Sequence, residues 1–338
     1  MADIQAPPTS APARTGFSPI WLVLFAMTAF STQDVVVKIV AEQVSLWQLQ
    51  FIRSLLTLWL LVMVVALMGR MPTLAPTAWF WPLVRAAFMC GAYLTFYASL
   101  PLLPLSKAAA AFFTGPLIIT LLAALLLGEP IGRRRILAVI VGFAGVVCII
   151  RPGLEGWQPV ALLPVLSAFC YAVGIIITRW RCRDVPNFAL SMVHNLLYAG
   201  IGLLGVVVLE LVPASAQTRA DWPFLTTSWM DLGALAGGLI LFTAGTHLVG
   251  VLCSVRAYQM DDASRIAPFE YSYLVIMPVY DIAIWHHWPA PLTLLGMALI
   301  CGAGIFVAWR EGRPPRPQVH PRGEDPWTPD EEHADWGA

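Results

Sequence analysis

Ten times along its length this chain runs for about 17–26 residues in nearly unbroken apolar character: at about 19–40, 46–69, 78–100, 105–127, 134–150, 159–179, 187–212, 231–256, 264–285 and 291–309. A helix that crosses the hydrocarbon core of a bilayer needs about 20 such residues. Ten of these runs leave too little polar sequence to cover a water-soluble globule. Of the 338 residues 58% are hydrophobic and 12% charged, against about 25% charged in an average soluble domain. The formal net charge of zero offers no basic stripe for a polyanion, so a nucleic-acid partner is excluded. The expected class is an all-α integral membrane protein of ten transmembrane helices.

Lys and Arg in the short loops set the orientation. With the N-terminus in the cytoplasm, ten crossings place Arg14, Arg70, Arg133, Arg134, Arg135, Arg179, Arg181, Arg183, Arg256, Arg310, Arg313, Arg316 and Arg322 on the cytoplasmic side. Only Arg151 and Arg219 fall opposite. The expectation is a multi-pass protein of a bacterial-type inner (plasma) membrane with both termini cytoplasmic. The first run is long enough to span and is followed by no small-residue cleavage site. After Glu311 the chain turns rich in Pro and charge and reads as a disordered tail. The six cysteines, Cys90, Cys148, Cys170, Cys182, Cys253 and Cys301, are scattered without metal-like spacing and read as free thiols.

The chain also repeats itself. Residues 44–56 (VSLWQLQFIRSLL) align with 185–197 (VPNFALSMVHNLL), Ser106-Lys107 with Ser264-Arg265, and 144–153 (AGVVCIIRPG) with 303–312 (AGIFVAWREG), at shifts of 141, 158 and 159. Five helices end on the side opposite their start, so a tandem copy enters the membrane upside down. The expected organisation is a cytoplasmic segment 1–18, a first repeat 19–153, a second repeat 154–310 and the tail 311–338. Inverted repeats are the architecture of alternating-access carriers, whose site lies near the midplane between the halves.

The stretch 98–153, with its small-residue fourth helix and mid-helix Pro116, Gly128-Glu129, a basic turn and a Gly-rich fifth helix, resembles the EamA repeat of the drug/metabolite transporter superfamily. Residues 257–312 are similar in their last two helices. Where the family's second copy repeats the glutamate, this chain has His286-His287. The resemblance implies a permease for amino-acid-like, vitamin- or nucleotide-like, or drug-like solutes.

Ionisable residues at depth in a membrane mark a site or a partnered structural pair. Asp34 admits both readings, since Lys38 lies four residues on at ion-pair spacing. Arg53 suits either a solute carboxylate or Asp34 itself, with the internal partner preferred. Arg85, near a helix end, reads as snorkelling. Glu270, Tyr273, Met277 and Asp281 share one helical face that should line the interior, with Glu270 available to an amine, a cation or a proton. His247 is first a packing residue and second a proton relay. His194-Asn195 occupies the slot of Arg53-Ser54 in the other half. Tyr93, Tyr97 and Phe113 are candidate pocket walls, as are Phe96 and Phe112.

Small-xxx-small pairs (Ala111/Gly115, Ala138/Gly142, Gly233/Gly237, Ala298/Gly302) suit packing within the bundle first and a homodimer face second. No phosphate loop, HExxH or GxSxG occurs, so neither an ATPase subunit nor catalysis is expected, and no metal or cofactor is called for. The expected function is secondary transport of a small molecule, in contact with membrane lipid. The alternatives are an integral-membrane enzyme or a channel-like pore using the same polar residues.

Overall fold

The computed structural model describes residues 18–68, 79–128, 132–151, 158–260 and 263–311. The expectations placed on residues 1–17, on Arg70 and Glu129 and on the tail beyond Glu311 lie outside the described residues. Among those described there are helices and no β-strand. Lipid offers no partner for backbone N–H and C=O groups, and a helix satisfies them within one segment.

Each apolar run falls on a helix or on two consecutive helices: α1 (Pro19–Val40), α2 (Leu46–Met68), α3 (Phe80–Ser99), α4 (Leu105–Phe112), α5 (Gly115–Leu127), α6 (Arg133–Ile150), α7 (Leu162–Arg181), α8 (Asn187–Leu211), the short α9 (Ala216–Asp221) and α10 (Pro223–Thr226), α11 (Ala234–Met260), α12 (Ala263–Glu270), α13 (Ser272–Trp285) and α14 (Pro291–Glu311). Six stretches are long and apolar enough to cross a membrane: 19–40, 46–67, 105–127, 159–181, 188–211 and 234–258. Ile136–Ile150 and Pro291–Val307 are shorter apolar helices. The bundle is apolar outside and polar within. Phe25, Leu67, Leu125 and Val275 are exposed, whereas Gln33, Asp34, Gln50, Arg53, Ser54, Thr57 and Asp281 are buried. That inversion of the soluble pattern suits a chain whose solvent is lipid.

Two runs are broken, and at matching places. The fourth is interrupted between Phe112 and Gly115, the ninth at Tyr271 between α12 and α13. Pro116 explains the first break, because its ring excludes the carbonyl of Phe112 and it has no N–H to donate. Pro278 lies within α13, which runs on past it. At a shift of 158 residues the end of α4 (Phe112) falls on the end of α12 (Glu270), and the end of α5 (Leu127) on that of α13 (Trp285). The next residue is left-handed in both, Gly128 with φ +68° and His286 with φ +54°. A position that favours glycine is held in the second stretch by the first histidine of the pair noted above.

The helices associate in a pattern that exchanges onto itself. α1 packs along α11 as α3 packs along α7; α3 touches α8 as α2 touches α11; α5 lies against α7 as α12 and α13 lie against α1; α2–α8 and α6–α14 are paired across the middle. The α6–α14 pair meets at two glycines. A Cβ on Gly145 would stand 2.7 Å from the Gly296 carbonyl oxygen, and one on Gly296 2.5 Å from that of Gly145. Of the expected small pairs, Gly142 packs on Leu117, while Gly233 and Gly302 face open space.

The segment between α8 and α11 folds into α9 and α10 and docks on the start of α2. Ser45 donates to the Ser228 carbonyl and Trp47 Nε1 to the Leu225 carbonyl, each at 2.8 Å.

Candidate functional site

The buried charge gathers where α1, α2, α3, α8, α11 and α13 converge. Asp34 does not pair with Lys38. Its Oδ2 accepts the Tyr273 hydroxyl at 2.5 Å and its Oδ1 accepts Gln33 Nε2 at 3.3 Å. Lys38, one turn on, points past it to the Leu103 carbonyl at 2.5 Å, with its ammonium 4.9 Å from the centre of the Trp285 ring.

Arg53 connects to Asp34 indirectly. Its Nη1 donates to the Tyr97 hydroxyl at 2.7 Å, and the same hydroxyl accepts Gln33 Nε2 at 2.7 Å. The relay from guanidinium to carboxylate therefore runs through a phenol and an amide. Three tyrosine rings surround the guanidinium, Tyr97 at 5.0 Å, Tyr93 at 5.5 Å and Tyr198 at 5.9 Å from its carbon. A planar, weakly hydrated cation is well held against such rings.

Tyr93 is the hub of the aromatic cluster. Its ring lies 5.8 Å from Tyr97, 5.6 Å from His194, 6.0 Å from Tyr198 and 6.1 Å from His247. His194 packs on Tyr198 at 5.4 Å and sets Nδ1 3.8 Å from Cys90 Sγ. His247 touches Phe30 at 6.0 Å, and its Nδ1 is buried without a partner. Phe113, in the first helix break, stacks on Tyr273 at 5.5 Å and touches Tyr271, in the second break, at 5.5 Å. The two interruptions thus abut beside Asp34.

The expected stripe on the ninth helix does face inward, but it serves three places. Tyr273 joins the centre through Asp34. Glu270 accepts the Tyr258 hydroxyl at 2.8 Å on the α11 side. Asp281 accepts the backbone N–H groups of Leu105 at 2.9 Å and Ser106 at 2.7 Å, both at the start of α4. A carboxylate there satisfies donors that a helix N-terminus leaves open. Asn195 donates to the Ser191 carbonyl of its own helix at 2.9 Å. Arg85 donates through Nε to Thr178 at 3.1 Å, binding α3 to α7 rather than reaching for the surface.

The structure therefore unites Asp34, Arg53, Tyr93, Tyr97, Phe113, His194, His247 and Tyr273. It adds Gln33, Gln50, Ser54 and Tyr198, which the sequence reading did not single out. Three of these carried a signal: Tyr198 lies one turn from His194, and Gln50 and Ser54 fall with Arg53 and Thr57 at i, i+4, i+3 and i+7 on α2. Beyond the centre, a cavity of about 520 Å³ is lined by Lys38, Glu42, Leu103, Asp281, Trp285 and His287. A second of about 230 Å³ lies across Pro104, beside Lys107, Arg151 and Trp288. Both flank the Asp281 contact.

Residues 17–151 match the EamA-like transporter family. The chain is 27% identical to an S-adenosylmethionine uptake transporter of Rickettsia bellii, over 86% of this chain and 93% of that protein. It is 31% identical to a riboflavin transporter of Rhizobium johnstonii, over 64% of this chain and 66% of that protein. A solved crystal structure with 18% identity superimposes with a TM-score of 0.50, covering 87% of this chain and 99% of the other, and this likeness speaks for the fold alone. The matched family and the relatives' names point to transport and not to catalysis. With a polar centre inside an apolar bundle, a first half that matches the EamA-like transporter family and relatives named as transporters, the chain is similar to EamA-type transporters.

Proposed function

We propose that this protein is a secondary carrier of a small, ring-bearing metabolite, built from two inverted five-helix repeats and working by alternating access in a bacterial-type inner membrane. The observation that carries the reading is the charged aromatic centre. Asp34, Arg53, Tyr93 and Tyr97 come from the first proposed repeat, His194, Tyr198, His247 and Tyr273 from the second, and they meet inside the bundle. A site shared by two units is exposed to opposite sides when the units rock. The matched helix breaks and the self-exchanging helix pairs support the duplication.

The chemistry at the centre is an exchange of partners. A solute carboxylate takes the Arg53 fork in place of the Tyr97 hydroxyl, and a solute cation takes Asp34 in place of Tyr273. The tyrosine faces accept a ring or a soft cation. The solutes in the relatives' names, S-adenosylmethionine and riboflavin, each carry a planar heterocycle with a hydrogen-bond donor next to an acceptor.

The two ends of the bundle are unequal. With the termini cytoplasmic, Asp281 and Lys38 lie at the outer end, where Asp281 clasps the start of α4. At the shift of 158 its counterpart is Ala123, which has no carboxylate for the start of α12. The carboxylate clasp stands at the outer end, and Ala123 supplies none at the inner one.

The test is flux of radiolabelled S-adenosylmethionine and riboflavin into proteoliposomes. Saturation, acceleration by unlabelled solute on the far side and loss in Asp34→Asn are expected for at least one solute. Flux that rises linearly with concentration and ignores the far side means a pore and overturns the proposal.

A further inference from the structure

Two glutamines stand two positions apart on α2, both wholly buried, and their amides differ completely. Gln48 donates to the Met230 carbonyl at 2.8 Å and accepts the Met230 N–H at 3.1 Å. Gln50 is as deeply buried, yet neither its Nε2 nor its Oε1 has a partner. Nor do Ser54 Oγ one turn on, the Tyr198 hydroxyl, Gln33 Oε1 or His247 Nδ1. Of the seven buried side-chain atoms without a partner among the described residues, six belong to this group around Arg53 and Tyr93. Orphan polar atoms scattered by imperfect packing would not concentrate beside one arginine. Each is costly to leave unmade, and a cluster of them is the shape of a missing partner.

The chemistry of that partner follows from Gln50. A primary amide presents a donor and an acceptor side by side in one plane. Its complement is a flat group with an acceptor beside a donor, the arrangement a glutamine reads on the edge of adenine. Tyr93 and Tyr198 supply ring faces around Arg53, three residues on along α2. Ser54 and Tyr198, each able to donate or accept, suit the remaining ring heteroatoms. We propose that Gln50 is the specificity-determining residue, reading the donor–acceptor edge of a planar heterocycle of adenine or cyclic-imide type. The assignment rests on the solute-binding centre proposed above, and it adds a recognition element that neither charged residue supplies.

Binding to the purified full-length chain tests it with two pairs of probes, adenosine against purine riboside, which lacks the exocyclic donor, and riboflavin against 3-methylriboflavin, whose imide donor is blocked. In at least one pair the complete edge binds about tenfold or more tighter. Gln50→Met keeps the volume, removes the orphan amide, raises the melting temperature of the unliganded protein and abolishes the discrimination. Equal binding within both pairs, no binding by any probe, or a Gln50→Met protein that melts lower and still discriminates overturns the assignment. Saturable flux that depends on Asp34 but shows none of this discrimination leaves the carrier standing and removes Gln50 as reader. Unsaturable flux brings down both.

Discussion

Tyr273 donates its hydroxyl to Asp34 across 2.5 Å, joining residues 239 positions apart in the chain and tying α13 to α1 inside the bundle. Phe113 stacks on the other side of the same ring, so one tyrosine holds a buried carboxylate and both helix breaks in register. Tyr273→Phe keeps the stack and removes the bond. It should lower stability by about 1–3 kcal/mol, the usual cost of stripping a partner from a buried charged group, and should depress flux. Thermal unfolding of the purified variant reads the first effect; an unchanged melting curve would mean that Asp34 is held by Gln33 alone.

Arg53→Lys separates charge from shape. The ammonium keeps the positive charge but loses the planar fork and much of the contact with Tyr93, Tyr97 and Tyr198. Flux should fall at least about tenfold while the protein remains folded. Proteoliposome uptake beside a melting curve checks it, and wild-type uptake would show that charge alone suffices.

Asp281→Asn leaves one acceptor and turns an amide donor toward the N–H groups of Leu105 and Ser106. The start of α4 should loosen. Hydrogen exchange of the peptide covering residues 100–108 is expected to quicken about tenfold, with little change in the 263–270 peptide. The contrast matters, because Ala123 provides no equivalent clasp to lose.

Gly145→Ala places a methyl 2.7 Å from the Gly296 carbonyl oxygen, so α6 and α14 must move apart. The expected cost is about 1–3 kcal/mol, as for other overpacked contacts. Gly302→Ala, on the same α14 but with nothing within 4 Å, should change stability by no more than about 0.5 kcal/mol. Similar melting temperatures for the two variants would contradict the close approach.

Much of this was legible in the residues, and for identifiable reasons. Helix positions follow from the length of apolar runs, because lipid leaves the backbone no other way to satisfy itself. The inward face of Glu270, Tyr273, Met277 and Asp281 follows from the period of the helix, since two carboxylates and a phenol on one stripe are costly against lipid. What periodicity could not reveal is which distant element meets each group. Asp34 and Lys38 stand at ion-pair spacing, yet Tyr273 and the Leu103 carbonyl offered each a better-placed partner. Asp281 read as an interior carboxylate; it does border a cavity, but the cap it makes on the start of α4 could not be foreseen. Gln50 lies on the polar stripe of α2, but nothing in the sequence set its amide apart from that of Gln48, because the distinction lies in partners that one has and the other lacks.

A one-dimensional pattern thus reports where a segment sits relative to lipid, since hydrophobic transfer is additive along the chain and needs no knowledge of neighbours. Pairing among buried polar groups is directional and short-ranged, decided within about 3 Å by side chains brought from far along the chain. For that reason the membrane character of this protein could be read residue by residue. The wiring of its centre, a guanidinium joined to a carboxylate through Tyr97 and Gln33, emerged only once six helices had been packed together.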